Sequence, residues 1–264
     1  MAHLTSVSRR ELIQRRLLDE GSVSSAALAE EFSVSLMTIY RDLDYLQTLG
    51  LAKRKSGGAV LRQRFFTAEQ DSEDTPNIQS AKERIGHYAA HHLVDGKEGA
   101  IIIGAGTTTL EMARALPDLP INVMANSLAA LGALSLHQHT KLYALGGELR
   151  KDIMAFGGTM AHANLKTYHF SKAFIGIDGI DADAALTSGN ELNARLTELM
   201  AEHAEEVYLL ADVRKFGQRA FRHVLSLSQI NGIITDQEIP KPFLELCEEH
   251  HVQVMIADST NKED

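Results

Sequence analysis

The stretch Ile101-Ile102-Ile103-Gly104-Ala105-Gly106-Thr107-Thr108-Thr109 sets an apolar run of strand length, a Gly/Thr loop and the start of a helix in direct succession. Glycines let a backbone come close to a ligand, and threonine hydroxyls with helix N-terminal N–H groups offer donors to an anion. A phosphate is the natural occupant, and a plain tight turn between strand and helix is the other reading. The run lacks the Gly-Lys-Ser/Thr of a nucleotide P-loop and the Gly-x-Gly-x-x-Gly spacing of a dinucleotide site.

Outward from this loop, helix and strand patterns alternate from Ser80 to about residue 258. Apolar runs of strand length fall at 100–103, 121–124, 141–145, 173–177, 207–211, 232–235 and 252–256. Helical stretches lie between several of them, at 108–115, 128–136, 191–203 and 242–250. Strands alternating with helices predict an α/β domain with a parallel sheet covered on both faces. Ligands of such sheets sit at the C-terminal ends of the strands.

The first 64 residues read differently. Residues 11–19 form a helix with Ile13 and Leu17 inward, stopped at Gly21. Ser24 or Ser25 caps a second helix with Leu28 and Phe32 inward. After the turn Ser33-Val34-Ser35, a third helix capped by Ser35 carries Leu36, Ile39, Leu43 and Leu46 on one stripe, with Met37, Arg41 and Asp44 opposite. Two short runs around Ser56-Gly57-Gly58 then read as a β-hairpin. A helix, a tight turn and a second helix with outward polar residues is a helix-turn-helix pattern, which spans about 23–42 here. Its second helix must fit a major groove, with Ser35, Thr38, Arg41 and the flanking Tyr40 toward DNA. Lys53, Arg54 and Lys55 suit phosphate or minor-groove contact, as does a wing. Asp42 would repel phosphate and is expected to pair internally with an arginine.

Charge divides the chain in the same place. The 264 residues carry −9 overall. Residues 1–64 hold ten Lys and Arg against seven acids, or +3, which leaves −12 on the rest. Between them, 62–79 is polar and acidic and reads as a linker. The domains expected are therefore a DNA-binding unit at 6–61 and an α/β unit at 80–258. No apolar run approaches the ~18 residues of a membrane span. Cys247 is the single cysteine, so neither an intramolecular disulfide nor a multi-thiolate zinc site is available. The N-terminus shows no apolar segment behind a basic cap, so a cytoplasmic location without membrane attachment is expected.

The run Val34-Ser35-Leu36-Met37-Thr38-Ile39-Tyr40-Arg41-Asp42-Leu43, with Leu49-Gly50-Leu51 and Gly57-Gly58-Ala59, resembles the DeoR family of bacterial transcriptional regulators. The resemblance continues through Asn126-Ser127-Leu128, Leu145-Gly146-Gly147, Phe174-Ile175-Gly176, Gly179-Ile180-Asp181, Lys215-Phe216-Gly217 and Ile234-Thr235-Asp236. It implies a winged helix-turn-helix, with Gly57 and Gly58 in the wing. It also implies a C-terminal α/β domain similar in fold to ribose-5-phosphate isomerase and glucosamine-6-phosphate deaminase, sensing a phosphorylated sugar or polyol. By that resemblance Gly106, Thr107 and Thr108 hold phosphate, after Gly104. Asn126, Ser127, Gly146 and Gly147 line neighbouring loops, and Asp178, Glu191 and Lys215 face the sugar. The sequence departs from the family at Tyr40, where arginine is usual, at Gly104 (Asp), at Gly158 (proline) and at Thr197 (lysine).

The function expected is a sequence-specific repressor of a carbohydrate or polyol catabolic operon. It would act without a cofactor, as a homodimer or tetramer on double-stranded operator DNA. Two other classes remain open. Asp178 and Glu191 are carboxylates of the type a sugar-phosphate isomerase or deaminase needs for proton transfer. Twelve histidines raise a metal site, although neither His91-His92 nor His250-His251 has the i, i+4 spacing that puts two imidazoles on one helix face.

Overall fold

A computed structural model describes residues 9, 10, 12, 13, 15–17, 22–48, 52–61 and 76–257, without the side chains of 48, 53, 61 and 76. The chain divides into two compact units, 1–67 and 68–264. Leu49 to Leu51 and Phe65-Phe66 fall outside the described residues, as does most of the expected linker, 62–75.

In the first unit, the described residues of 9–17 are helical and bury Ile13 and Leu17. Strand β1 (Ser22–Ser24), helix α1 (Ser25–Glu31), helix α2 (Leu36–Thr48) and the hairpin β2 (Ala52–Lys55) and β3 (Gly58–Leu61) follow. Ser24 caps α1 by accepting from the Ala27 amide. The turn into α2 is a Schellman motif: the Ser33 and Val34 amides donate to the Glu30 and Ala29 carbonyls at 3.1 and 3.0 Å. Ser33 accordingly sits at φ 51°, in the left-handed region. Ile39, Leu43 and Leu46 turn inward from α2 as expected, but Leu36 is 45% exposed. It occupies the first turn, before the helix reaches the core.

Strand β1 was not foreseen. It pairs antiparallel with β3, making the wing part of a three-stranded sheet. A Cβ on Gly58 would lie 2.0 Å from the Val23 carbonyl oxygen. Gly58 is thus a packing residue between strands and not the DNA contact expected. Gly58→Ala should displace β1 and destabilise this unit by about 1–3 kcal/mol, read as a lower first transition in urea; an unchanged transition would remove the β1 contact.

The second unit opens with α3 (Pro76–His92), which begins inside the stretch expected to be linker. A parallel sheet of seven strands follows, in the order β15-β14-β12-β9-β4-β5-β6. The strands are β4 (Ala100–Ile103), β5 (Asn122–Ala125), β6 (Lys141–Ala144), β9 (Phe170–Ile175), β12 (Ala204–Leu210), β14 (Gly232–Thr235) and β15 (Gln253–Ile256). Helices α4 (Thr107–Ala115), α5 (Leu128–Leu134), α6 (Gly158–Leu165), α7 (Glu191–Glu202) and α8 (Lys241–Glu249) connect or cover them. Ile101 and Ile103 of β4 enter one apolar cluster and Ile102 enters the other, so both sheet faces are buried. Two small additions were not read from the sequence: a hairpin of β7 (Glu148–Arg150) with β8 (Ala155–Gly157), and an antiparallel sheet of β10 (Gly179–Ile180), β11 (Ala185–Ser188) and β13 (Arg222–Ser226). The chain runs outward from β4 through β5 to β6, then returns to β9 on the other side of β4. The strand order therefore reverses between β4 and β9.

Candidate functional sites

That reversal places the loops after β4 and β9 side by side, where ligands of open α/β sheets bind. A cleft is lined there by Gly106 to Thr109 from the first loop and by Gly176, Ile177 and Asp178 from the second. Thr109 is fully buried and donates its hydroxyl to the Gly104 carbonyl at 2.7 Å, which fixes the loop. Gly106 precedes α4 without a side-chain cap, whereas Ser127 and Asn190 cap α5 and α7 through their side chains. The first amides of α4 thus meet the cleft at the positive end of the helix dipole.

Two lysines lie on the same cleft. Lys215 comes from a short 3₁₀ turn after β12, held by Asp212, which accepts from the Arg214 amide at 3.1 Å. Lys82 comes from α3 and is only 2% exposed. The Asp178 carboxylate accepts from the Ser188 hydroxyl at 2.9 Å and the Gly189 amide at 2.7 Å. Asn190 and Asn193 adjoin it, and Ile153 from the β7–β8 turn adds an apolar wall. The lining of the cleft thus offers cations and amides together with acceptors and amide groups.

Five expected effector residues lie elsewhere. Gly104 is the last residue beneath the loop, its amide bound to the Phe174 carbonyl at 2.9 Å. Asn126 is buried and donates to the Phe156 carbonyl at 3.3 Å, tying β5 to β8. Ser127 is spent on its helix cap. Gly146 and Gly147 form the turn into β7 at φ 73° and 102°. All four of the latter follow β5 and β6, farther from the reversal than the loops of β4 and β9. Glu191, a sixth, is exposed and accepts from Arg222 at 3.3 Å. Lys82, Ser188, Asn190, Asn193 and Ile153 were missed.

His139, His87 and His91 engage neighbouring side chains. Asp118 accepts from the Gln138, His139 and Thr140 amides and from the His139 ring. Burial pushes its carboxyl up, but those donors outweigh it and hold the group well below the usual carboxylate range. His87 and His91 do stack at i, i+4, with ring centroids 4.2 Å apart. Among the described residues no three His, Cys, Asp or Glu side chains converge for a metal. Burial, with Glu248 nearby, pushes the Cys247 thiol up to about 11, so it stays protonated.

On the first unit, the Asp42 carboxylate is buried between Arg9 Nε at 2.6 Å and Arg10 Nε at 2.8 Å, the internal pairing expected of it. Ser35 caps α2, accepting from the Thr38 amide at 3.2 Å and meeting the Thr38 hydroxyl at 2.9 Å. Arg54 folds onto the outer face of α2: its guanidinium donates to Asp44 at 2.7 Å and lies 4.7 Å from the Tyr40 ring centre. The aromatic face at position 40 thereby ties the wing to α2. Arg54 is thus a wing anchor in this structure. Lys53 is described by its backbone alone, within β2. Arg41 and Lys55 are exposed, as is Gly57 in the turn, and neither cation pairs with an acid among the described residues. Met37, 59% exposed, lies one turn before Arg41 on the same face.

A family model described as the DeoR-like helix-turn-helix domain matches residues 9–65, and one described as the DeoR C-terminal sensor domain matches 78–237. The chain belongs to the DeoR family. Its relatives are transcriptional regulators. An L-fucose operon activator of Haemophilus influenzae is 30% identical, over 94% of this chain and 99% of its own. The lactose phosphotransferase system repressor of Staphylococcus epidermidis is 30% identical over 88% and 93%. The glycerol-3-phosphate regulon repressor of Escherichia coli K12 is 29% identical over 89% and 92%. Among solved structures, ribose 5-phosphate isomerase A of Methanocaldococcus jannaschii matches 51% of this chain and 53% of its own, with 19% identity and a TM-score of 0.38. Among the described residues, no helix of this DeoR-family chain is long and apolar enough to cross a membrane.

Proposed function

We propose that this DeoR-family protein represses a carbohydrate or polyol catabolic operon and is controlled by a phosphorylated sugar or polyol bound at the β4–β9 reversal. The observation that carries the reading is the mixed lining of the cleft. The uncapped α4 amides, Thr107, Thr108, Lys82 and Lys215 take the phosphate, while Asp178, Asn190 and Asn193 take hydroxyls. Relatives named for fucose, lactose uptake and glycerol 3-phosphate support that ligand class. The protein senses and does not turn over its ligand, and it needs no cofactor. Supporting this, Asp178 is the single carboxylate among the described lining residues, and two donors already hold it.

DNA binding rests on the outward face of α2 and on the wing tip, with Ser35, Thr38, Arg41 and Lys55 toward the duplex. So small a reading surface supplies limited specificity, and a homodimer or tetramer on paired half-sites about 34 Å apart supplies the rest. Arg41→Ala should weaken binding to fragments that the parent protein selects from a random DNA pool by about 5- to 150-fold, from the ~1–3 kcal/mol of one base contact. Tm should not move. Unchanged selection would take α2 out of the groove.

The effector reading is tested by thermal shift of the full chain against sugar and polyol phosphates. One ester at about 100 times its Kd should add about 2.7 kcal/mol, while the dephosphorylated compound adds nothing and the ester is recovered intact. Equal shifts from ester and free sugar, or none from any ester, would overturn it. Turnover of the ester would restore the isomerase alternative.

A further inference from the structure

We propose that Ile153, on the turn of the β7–β8 hairpin, sets which phosphate ester the cleft accepts, and that Asn126 is the positioning residue that holds it there. This deepens the reading just given and rests on the cleft taking a sugar or polyol phosphate.

Ile153 differs from the rest of the lining in where it comes from. The other described lining residues belong to α3, α4 or α7, or to the ends of β4, β9, β11 and β12 and the loops that follow them. Among them Ile153 alone comes from a hairpin outside the parallel sheet, past β5 and β6. It is half-buried. The next residue, Met154, sits at φ 46°, in the left-handed region that a side chain keeps only where its surroundings hold it. The loop after β5 supplies that hold. The Met154 carbonyl accepts from the Leu128 amide at 3.0 Å, and Ser127 forms an isolated bridge with Ala155. Asn126 grips Phe156 twice: its carbonyl accepts from the Phe156 amide at 2.7 Å, and its side-chain amide donates to the Phe156 carbonyl at 3.3 Å. At the base of the hairpin, a Cβ on Gly147 would lie 2.6 Å from the Gly157 carbonyl oxygen, so the strands meet there without room for a side chain. Asn126 and Gly147, which resemblance placed at the ligand, thus build the element that brings Ile153 to it.

A sugar or polyol phosphate presents a phosphate, hydroxyls and C–H groups. The lysines, threonines and amides of the lining suit the first, and Asp178 with the two asparagines suits the second. An isoleucine side chain has neither a donor nor an acceptor. A hydroxyl driven against it gives up water without a replacement bond, whereas a C–H group placed there buries apolar surface. Contacts of this kind discriminate between ligands by about 10- to 200-fold. Ile177 and Leu210 are also apolar, but the parallel sheet itself fixes their places. Ile153 is the wall whose place a hairpin decides, and a turn tied at both Met154 and Phe156 keeps it from swinging aside to admit another ester.

The probes are the aldose, ketose and alditol monophosphates of three to six carbons, titrated into the full chain by calorimetry. Ile153→Ala should weaken the ester that the parent binds most tightly by about tenfold. The ratio between that ester and the weaker ones should shrink at least fivefold. Equal weakening of every ester, or of none, overturns the role of Ile153. Asn126→Ala should shrink the same ratio, and adding it to Ile153→Ala should change the ratio no further, since both act on one contact. Losses that multiply overturn the positioning role and leave Ile153 standing. Ile153→Ala alters only a half-buried turn and decides the first claim even where Asn126→Ala does not fold; Asn126→Ser then decides the second. If the parent binds none of these esters, the cleft reading itself falls.

Discussion

Asp42→Ala should cost the DNA-reading unit about 3–5 kcal/mol, the usual penalty for removing one partner of a buried ion pair. The Asp42 side chain is 2% exposed and stands between Arg9, itself 8% exposed at the side chain, and the half-buried Arg10. Without the carboxylate, the Arg9 guanidinium stays withdrawn from water opposite no counter-charge. A unit of some sixty residues has a total stability of only about 5–15 kcal/mol, and units this small lie low in that range. The loss therefore removes much of what holds α2 in place. Urea unfolding should show an early transition of the first unit with the second unit's transition unmoved, and DNA binding should fall with it. The pair need not be a net stabiliser, since its desolvation offsets most of its attraction. A variant with Arg9→Met, Arg10→Met and Asp42→Leu together should recover stability that Asp42→Ala loses. An unchanged first transition in Asp42→Ala would show that the arginines reach water without rearrangement.

The role of Asp42 was legible because an acid on a helix meant for phosphate has to be neutralised from inside. The central strands of the parallel sheet were legible for a similar reason: a strand buried on both faces must be a continuous apolar run, whereas the edge strands β6 and β15 are largely exposed. Residues 100–103 and 232–235 coincide with β4 and β14. Strand β12 begins at Ala204, three residues before the apolar run, because pairing with β9 draws Ala204 and Glu206 into the ladder. Strands β1, β7, β8 and β10 are two or three residues long and carry no periodicity, so only tertiary pairing creates them. The cleft divides likewise. The Gly-Thr-Thr loop announced itself by composition, whereas Asn126, Gly146 and Gly147 were placed beside it by resemblance and lie off the strand-order reversal. Lys82 left one signal that was passed over: a charged residue in register with Ile85 and Ala89 on the apolar stripe of α3. Arg54 left none, because its turn toward Tyr40 and Asp44 depends on how the wing folds back.

Thr107→Asp should abolish the effector response while leaving the fold intact. A carboxylate in the first turn of α4 complements the helix dipole and is worth about 0.3–1 kcal/mol to the helix, so the ligand-free Tm should hold or rise slightly. Toward a phosphate the same carboxylate is a like charge. Two unit charges about 4 Å apart at an effective dielectric constant near 20 repel by about 4 kcal/mol, roughly a thousandfold in affinity. Thr107→Ser retains a hydroxyl and should respond as the parent does, which separates charge from packing. A variant that still shifts in Tm with the ester would place the phosphate away from α4. The DNA-binding state in which Thr107→Asp is fixed carries further information. The new carboxylate lines the same cleft as Lys82 and Lys215, so it either stands in for the ligand's charge or merely repels it. If it stands in, the protein is held permanently in its effector-bound DNA affinity. If it only repels, DNA affinity stays at the effector-free value.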